Sequence, residues 1–306
     1  MPAWLFDWRS GLKADIVRSG DVLEAVGVAG SMAGPINEGV KMLPRVNMVR
    51  CNEAEYLLFS TDDFISRTLY LSGSWDHHLL ALSKLFYAGV EAPFVLDIGA
   101  NLGAYTVPIA KDIQATNGTV YSYEPQKVVY YQLCGNIFLN RLDNVDAFRE
   151  ALGDFDGIIK IPSVNYSTAC NIGAFSMEAN VRIQMRHLNE IQEEISIDTP
   201  VRRLDGMNFP KPPCLIKMDV EGMELSVLEG GKEFLRKNGF PPILFEVLDL
   251  EWAADRKDQI FGLLNGLGYE IKRIYRDDYV AQHPRHSAAV GLDTDEHGTI
   301  HMARTR

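Results

Sequence analysis

The sequence predicts an α/β fold: a mostly parallel sheet with helices on both faces and an antiparallel edge at its end. Three observations predict it. From residue 93, short apolar runs alternate with stretches of helical periodicity, the pattern of strands joined by covering helices. The first run ends in an acid and passes through a turn of small residues into a helix, as the first βα unit of an open sheet does. After Gly268 the strict alternation of YEIKRIYRDDYVAQHP suits a closing hairpin instead of a further crossover.

Each element can be justified in order. Residues 1 to about 45 carry Gly-Pro punctuation and small residues that favour loop, so they read as an N-terminal extension. Alternation between Asn47 and Leu71 predicts two or three short strands with a turn near Thr61-Asp62-Asp63. In the segment 75–87, Leu79, Leu82 and Phe86 share one face of an amphipathic helix. The strand runs are 94–99, 119–125, 144–151, 214–220 and 242–247, with helical patterns at 104–116, 126–140, 222–237 and 253–267. The segment 163–194 is longer than a usual connection and reads as a substrate lid or as an ordinary hairpin. Asn165, Tyr166, Asn171 and Ser176 within it are candidate contacts to a polyhydroxylated acceptor. The polar stretch 285–306 is expected to be a loose tail.

Composition narrows the function. The 306 residues, 46% apolar and 23% charged, are those of an ordinary globular protein. A net charge of −11, from 30 basic and 41 acidic residues, repels phosphate backbones, so nucleic acid is not the expected partner. The four cysteines, Cys51, Cys134, Cys170 and Cys214, form no C-x-x-C pair, which points to a reduced, cytoplasmic chain without a cysteine metal site. The first 20 residues mix charges among apolar residues, unlike a signal peptide, and no window approaches the roughly 20 apolar residues of a membrane span.

The densest chemical signal is the run from Phe94 to Tyr105, in which Asp97, Gly99, Asn101 and Gly103 surround a βα turn. Ligands of open α/β sheets sit beyond the carboxyl ends of the strands, so this turn is where a nucleotide-type cofactor would lie. The glycines let backbone approach a ligand, and Asn101 tolerates left-handed angles better than other side chains. Pro108 fits near the start of the following helix, where amide groups lack partners. A dinucleotide fingerprint, G-x-G-x-x-G, fails twice here, at Asn101 and at Ala104. S-adenosylmethionine carries an ammonium and a sulfonium, so an acid at Asp97 is electrostatically useful to it. Glu124, at the end of the second run, is placed to accept from ribose hydroxyls, which both cofactors possess. A plain reading stays open in which Asp97 to Gly103 is a tight connection and Asp97 caps the helix.

These residues resemble the FkbM-type S-adenosylmethionine-dependent methyltransferases. The resemblance rests on FVLDIGANLGAYT (94–106), VYSYEPQ (120–126) with YYQLCGNIFLN (130–140), REALGD (149–154) and LIKMDVEGMELSVLEGG (215–231). SGSWDHH (72–78) and DDYVAQHP (277–284) are similar to its outer motifs. It implies a class I methyltransferase fold with a seven-stranded sheet and a last antiparallel strand. It implies a domain over 61–284, flanked by an extension at 1–60 and a tail at 285–306. It also implies O-methylation of a hydroxyl on a sugar, glycolipid or polyketide-type metabolite. By position, Asp97, Gly99, Asn101 and Gly103 fall in the methionine-binding turn, Glu124 on the ribose acid, and Ala151 and Leu152 beside the adenine. Asp219 falls at the fourth-strand motif facing the methyl group.

A hydroxyl nucleophile must lose its proton, and Asp219 is the first candidate base, Glu221 the second. Two close carboxylates would raise one pKa. Glu221 reads equally as an acid of the first helical turn and Glu224 reads mainly as one, each stabilised by ~0.3–1 kcal/mol. A third reading groups Asp219, Glu221 and Glu246 as oxygen ligands of a divalent metal, although nothing in the spacing demands one and no metal is expected. Lys217 reads as a strand residue with a surface partner, and His77-His78 as a pair at a helix start that is either partly solvated or reaches the cleft mouth. Tyr121, Tyr123, Tyr130 and Tyr131 read as packing. The alternatives are an NAD-type oxidoreductase and a non-catalytic nucleotide-binding partner of the same fold.

Overall fold

The computed structural model describes residues 45–52, 54–60, 63–164, 191–248, 250–294 and 300–305. Residues 1–44, Cys170 and the candidate contacts Asn165, Tyr166, Asn171 and Ser176 lie outside the described residues.

Strands β1 (Val46–Cys51) and β2 (Ala54–Phe59) pair antiparallel. The alternation that suggests a further strand after them instead folds as helix α1 (Phe64–Ser72). Asp63 caps it by accepting the Ser66 amide at 2.9 Å, and Gly73 ends it in a left-handed conformation at φ +69°. Two strong end signals outweigh a weak alternation. Helix α2 (His77–Tyr87) follows and buries Leu79, Leu82 and Phe86 as its spacing predicts.

Next come β3 (Phe94–Ile98), α3 (Thr106–Gln114), β4 (Thr119–Tyr123), α4 (Lys127–Leu139) and β5 (Val145–Phe148). The third apolar run continues past β5 as β6 (Ala151–Leu152), which joins β7 (Gly157–Val164) and β8 (Ile191–Arg202) in a small three-stranded sheet. Strands β7 and β8 pair antiparallel, and residues 165–190 between them lie outside the described residues. Then follow β9 (Leu215–Met218), α5 (Glu224–Glu229), α6 (Lys232–Lys237), β10 (Ile243–Glu246), α7 (Ala254–Gly266), β11 (Glu270–Tyr275) and β12 (Asp278–Gln282). One helix expected over 222–237 is thus two, broken at Gly230-Gly231. A Cβ at Gly230 would lie 1.9 Å from the Gly153 carbonyl oxygen, so the chain turns where the small sheet crosses it.

The main sheet has seven strands in the order β11-β12-β10-β9-β3-β4-β5, with β12 antiparallel to both its neighbours and the others parallel. Strand β3 is buried throughout, which explains its unbroken apolar run. Its residues divide between two cores: Val95 packs with Leu82, Phe86 and Val107 on one face, and Phe94, Leu96 and Ile98 pack with Leu228, Phe234 and Leu264 on the other.

The expected loose tail is instead a hairpin, β13 (Val290–Thr294) with β14 (Ile300–Arg304). The Gln282 side chain holds it by bonding both the amide (2.7 Å) and the carbonyl (2.9 Å) of Val290. Polar composition hid this anchor because the amide that supplies it lies on β12.

Candidate active site

The strand order reverses between β3 and β9: the chain runs from β3 outward through β4 and β5, then returns to β9 on the other side. Ligand crevices of open α/β sheets form at such a point. Here the two strand ends approach closely. Gly99 follows β3 with φ +83°, and a Cβ there would sit 1.8 Å from the Asp219 carbonyl oxygen. Asn101 adopts φ +52°, as the turn requires, and its side-chain oxygen accepts the Leu102 amide. At Gly103, φ +91°, a Cβ would meet Leu133 at 2.9 Å.

Asp97 is fully buried. It accepts the Thr106 hydroxyl at 2.5 Å, so it braces the first residue of α3 through a side chain and does not cap its amides. Lys217, expected to face the surface, is buried as well, with its ammonium 3.6 Å from Asp97 and 3.3 Å from Asp219. It also donates to the Gly99 carbonyl at 3.2 Å. Burial works against the charged lysine, but Asp219, Asp97 and Asp76 outweigh it and hold its pKa above the usual lysine range. Burial pushes the Asp97 carboxyl up, against the pull of Lys217 and Thr106.

Glu124, at the end of β4, accepts the amides of Asn101 (2.9 Å) and Gln126 (2.8 Å). It therefore ties the β3 turn to the neighbouring strand. Ala151 and Leu152 are each 2% exposed and pair with Val201 and Arg202 of β8.

Beyond β9 the acids converge. One carboxylate oxygen each from Asp219, Glu221 and Glu246 lies within 4.8 Å of the others, a donor set that could hold a cation. Glu221 has φ +52° and precedes α5, so it is not a first-turn acid of that helix. Glu224 is one, and its carboxylate accepts the amides of Val220 (3.2 Å) and Gly222 (3.1 Å). Burial, then the nearby Asp219, drives the carboxyls of Glu221 and Glu246 well above the usual range. A cleft of about 240 Å³ opens on this cluster, lined by Asp76, His78, Asp219, Glu246 and Asp278 among others. In it His78 Nε2 lies 2.6 Å from the Asp278 carboxylate.

The methyltransferase FkbM domain matches residues 97–271, more than half of the sequence. The chain belongs to the FkbM methyltransferase family. It is 28% identical over 108 residues to the tRNA(Phe) (4-demethylwyosine(37)-C(7)) aminocarboxypropyltransferase of Methanocaldococcus jannaschii, a match covering 33% of this chain and 40% of that protein. Among solved structures it is similar to a methyltransferase FkbM from Methylobacillus flagellatus KT, with 19% identity and a TM-score of 0.40, over 65% of this chain and 47% of that one. It is also similar to M. jannaschii TYW2 in complex with AdoMet, with 13% identity and a TM-score of 0.35, over 79% and 85%.

In this FkbM chain, sequence reasoning missed two features of the site. Lys217 had a usable signal, a lysine inside the otherwise apolar run CLIKMDV, since a buried strand holds a cation only beside a counter-charge. The His78–Asp278 pair had none, because its members are 200 residues apart. His283, far from the cluster in sequence terms, stacks on Phe240 at 4.0 Å. Of the tyrosines read as packing, Tyr123 stacks on Phe148 at 5.0 Å, whereas Tyr131 is 52% exposed. Among the described residues, no helix is long and apolar enough to cross a membrane.

The acid cluster predicts an unusual pH dependence of stability. Burial is the first cause lifting Glu124 and Glu224 to about 7 and Asp76 to about 6, with Glu221 and Glu246 raised too. The folded chain therefore holds protons that the unfolded chain releases at lower pH, and stability falls as pH rises through these values. Asp97 is raised in the same way, and His283, whose pKa burial lowers, opposes these carboxyls as a single group. The ligand-free protein is expected to melt at higher temperature at about pH 6 than at about pH 8. A melting temperature that rises over that interval would contradict the burial of these carboxyls.

Proposed function

We propose that the chain transfers a methyl group from S-adenosylmethionine to a hydroxyl of a sugar, glycolipid or polyketide-type metabolite. The observation that carries this reading is the crevice between β3 and β9, where the small-residue turn, Glu124 and the Asp219 cluster meet. The residues fit the donor: the left-handed turn through Asn101 and Gly103 brings the end of β3 beside Asp219, and Glu124 keeps lone pairs beyond the two amides it accepts. Asp97, Gly99, Asn101 and Gly103 would hold the methionine end, Glu124 the ribose, and Ala151 and Leu152 the adenine side. When bound, S-adenosylmethionine supplies an activated methyl on a sulfonium.

The chain's own residues then do two things. They position the acceptor in line, which carries most of the rate when little net charge develops. They also take the hydroxyl proton. Asp219 is the base we favour, because the Lys217 ammonium at 3.3 Å orients it and its side chain lines the acid cleft. Burial pushes the Glu221 and Glu246 carboxyls up, so Glu246 serves as a donor toward the acceptor, and Glu221 is the second candidate base only at pH high enough to ionise it. The lysine also supplies the positive charge that a divalent cation would bring to Asp219. EDTA is therefore expected to leave transfer unchanged, and an activity lost to EDTA and restored by magnesium would make Asp219, Glu221 and Glu246 ligands instead.

Calorimetric titration with S-adenosylmethionine and with NAD separates this reading from an oxidoreductase. Binding of the first and not the second is expected. Radiolabelled methyl transfer to a panel of sugars, glycolipids, polyketide alcohols and transfer RNA then tests the acceptor. The net charge of −11 and the acid-lined cleft favour a neutral acceptor, so label entering the RNA alone would overturn that part. Asp219→Ala and Glu221→Ala should each abolish transfer without abolishing donor binding. Turnover that survives both would remove the proposed bases.

A further inference from the structure

A second and larger cavity, of about 480 Å³, lies against the same helix that borders the acid cleft. Its floor is apolar and buried, made by Tyr56, Leu69, Ala104 and Ile109, and its rim carries His77 and Lys84. Trp75 lines both this cavity and the acid cleft, and its ring meets that of Phe64 edge-on at 5.7 Å. A concave apolar floor of this size with a few polar groups at the rim is the usual build of a small-molecule site. Most of the lining comes from residues 51–84, before the 97–271 stretch that matches the family, so the cavity is built largely by this chain's own N-terminal elements.

We propose that this cavity binds the apolar portion of the methyl acceptor. The substrate class is then an amphiphile: a hydroxyl-bearing head in the acid cleft joined, past Trp75, to an aliphatic or similarly apolar body. The inference rests on the hydroxyl-transfer reading above for what fills the cleft, and on the shared Trp75 for the continuity between the two spaces. Neutral heads suit the cleft because its acids outnumber its cations, and an apolar body gains by leaving water for the floor.

The test uses octyl β-glucoside below its micellar concentration and methyl β-glucoside, each titrated calorimetrically into the full chain with S-adenosylmethionine present. The two share a head and differ in the apolar body. Octyl glucoside is expected to bind about tenfold or more tightly than methyl glucoside. Ala81→Phe places bulk at an exposed position of the cavity lining, where folding is not at stake, and is expected to erase that difference. Equal binding of the two glucosides by the native chain overturns the proposal, as does an octyl preference that persists in Ala81→Phe. A separate titration with S-adenosylmethionine keeps the readings distinct. If the donor fails to bind, the methyl-transfer reading falls, whereas donor binding with no octyl preference removes the amphiphile alone.

Discussion

Replacing Lys217 by methionine is expected to destabilise the fold by about 3–5 kcal/mol, the usual cost of removing one partner from a buried ion pair. Asp97 is fully buried, and Lys217 is the cation beside it at 3.6 Å. Methionine fills much of the same volume, so lost packing contributes little and the unpaired carboxylate contributes most. Urea unfolding should show a lower midpoint with an unchanged slope. Adding Asp97→Asn to Lys217→Met should recover part of the loss, because the two changes remove members of one pair and are not additive. The single variant should also gain stability as pH falls, since a protonated Asp97 needs no counter-charge. A loss below about 1 kcal/mol would show that the pair contributes little beyond a surface bridge.

Gly99→Ala has the second large expected effect, and it acts on backbone. The added Cβ would lie 1.8 Å from the Asp219 carbonyl oxygen and 2.7 Å from its carbon, at a residue with φ +83°. Left-handed strain and overpacking together are expected to cost about 2–5 kcal/mol. Relief requires the ends of β3 and β9 to separate, which opens the crevice and should abolish S-adenosylmethionine binding in calorimetry. Gly89→Ala is the control: φ is +74° there, yet nothing lies within 4 Å of the added carbon. It should lose only about 1–2 kcal/mol and bind the donor normally. Equal effects of the two substitutions would mean that the crevice accommodates the methyl group.

Several elements of this chain are legible because the forces that form them act over a few residues. The period-3.6 face of Leu79, Leu82 and Phe86, the unbroken run of β3, and the left-handed positions Gly99, Asn101 and Gly103 each follow from local sterics and burial. The same holds for the closing β11–β12 hairpin. Where local signals compete, reading fails: Asp63 and Gly73 turned an apparent strand into α1, and Gly230-Gly231 divided one helix into two.

By itself, then, the sequence determined the α/β class, the order of the sheet's strands along the chain, and a tight left-handed turn between Asp97 and Gly103. Tertiary structure alone decided that Lys217 pairs with Asp97 and that Asp278 meets His78 across 200 residues, whereas the grouping of Glu246 with Asp219 and Glu221 was already one reading of the sequence. It also decided that the tail is held by Gln282. The physical reason is that a charge's partner is chosen by where the sheet brings separate strands together. No spacing within a single segment encodes that choice.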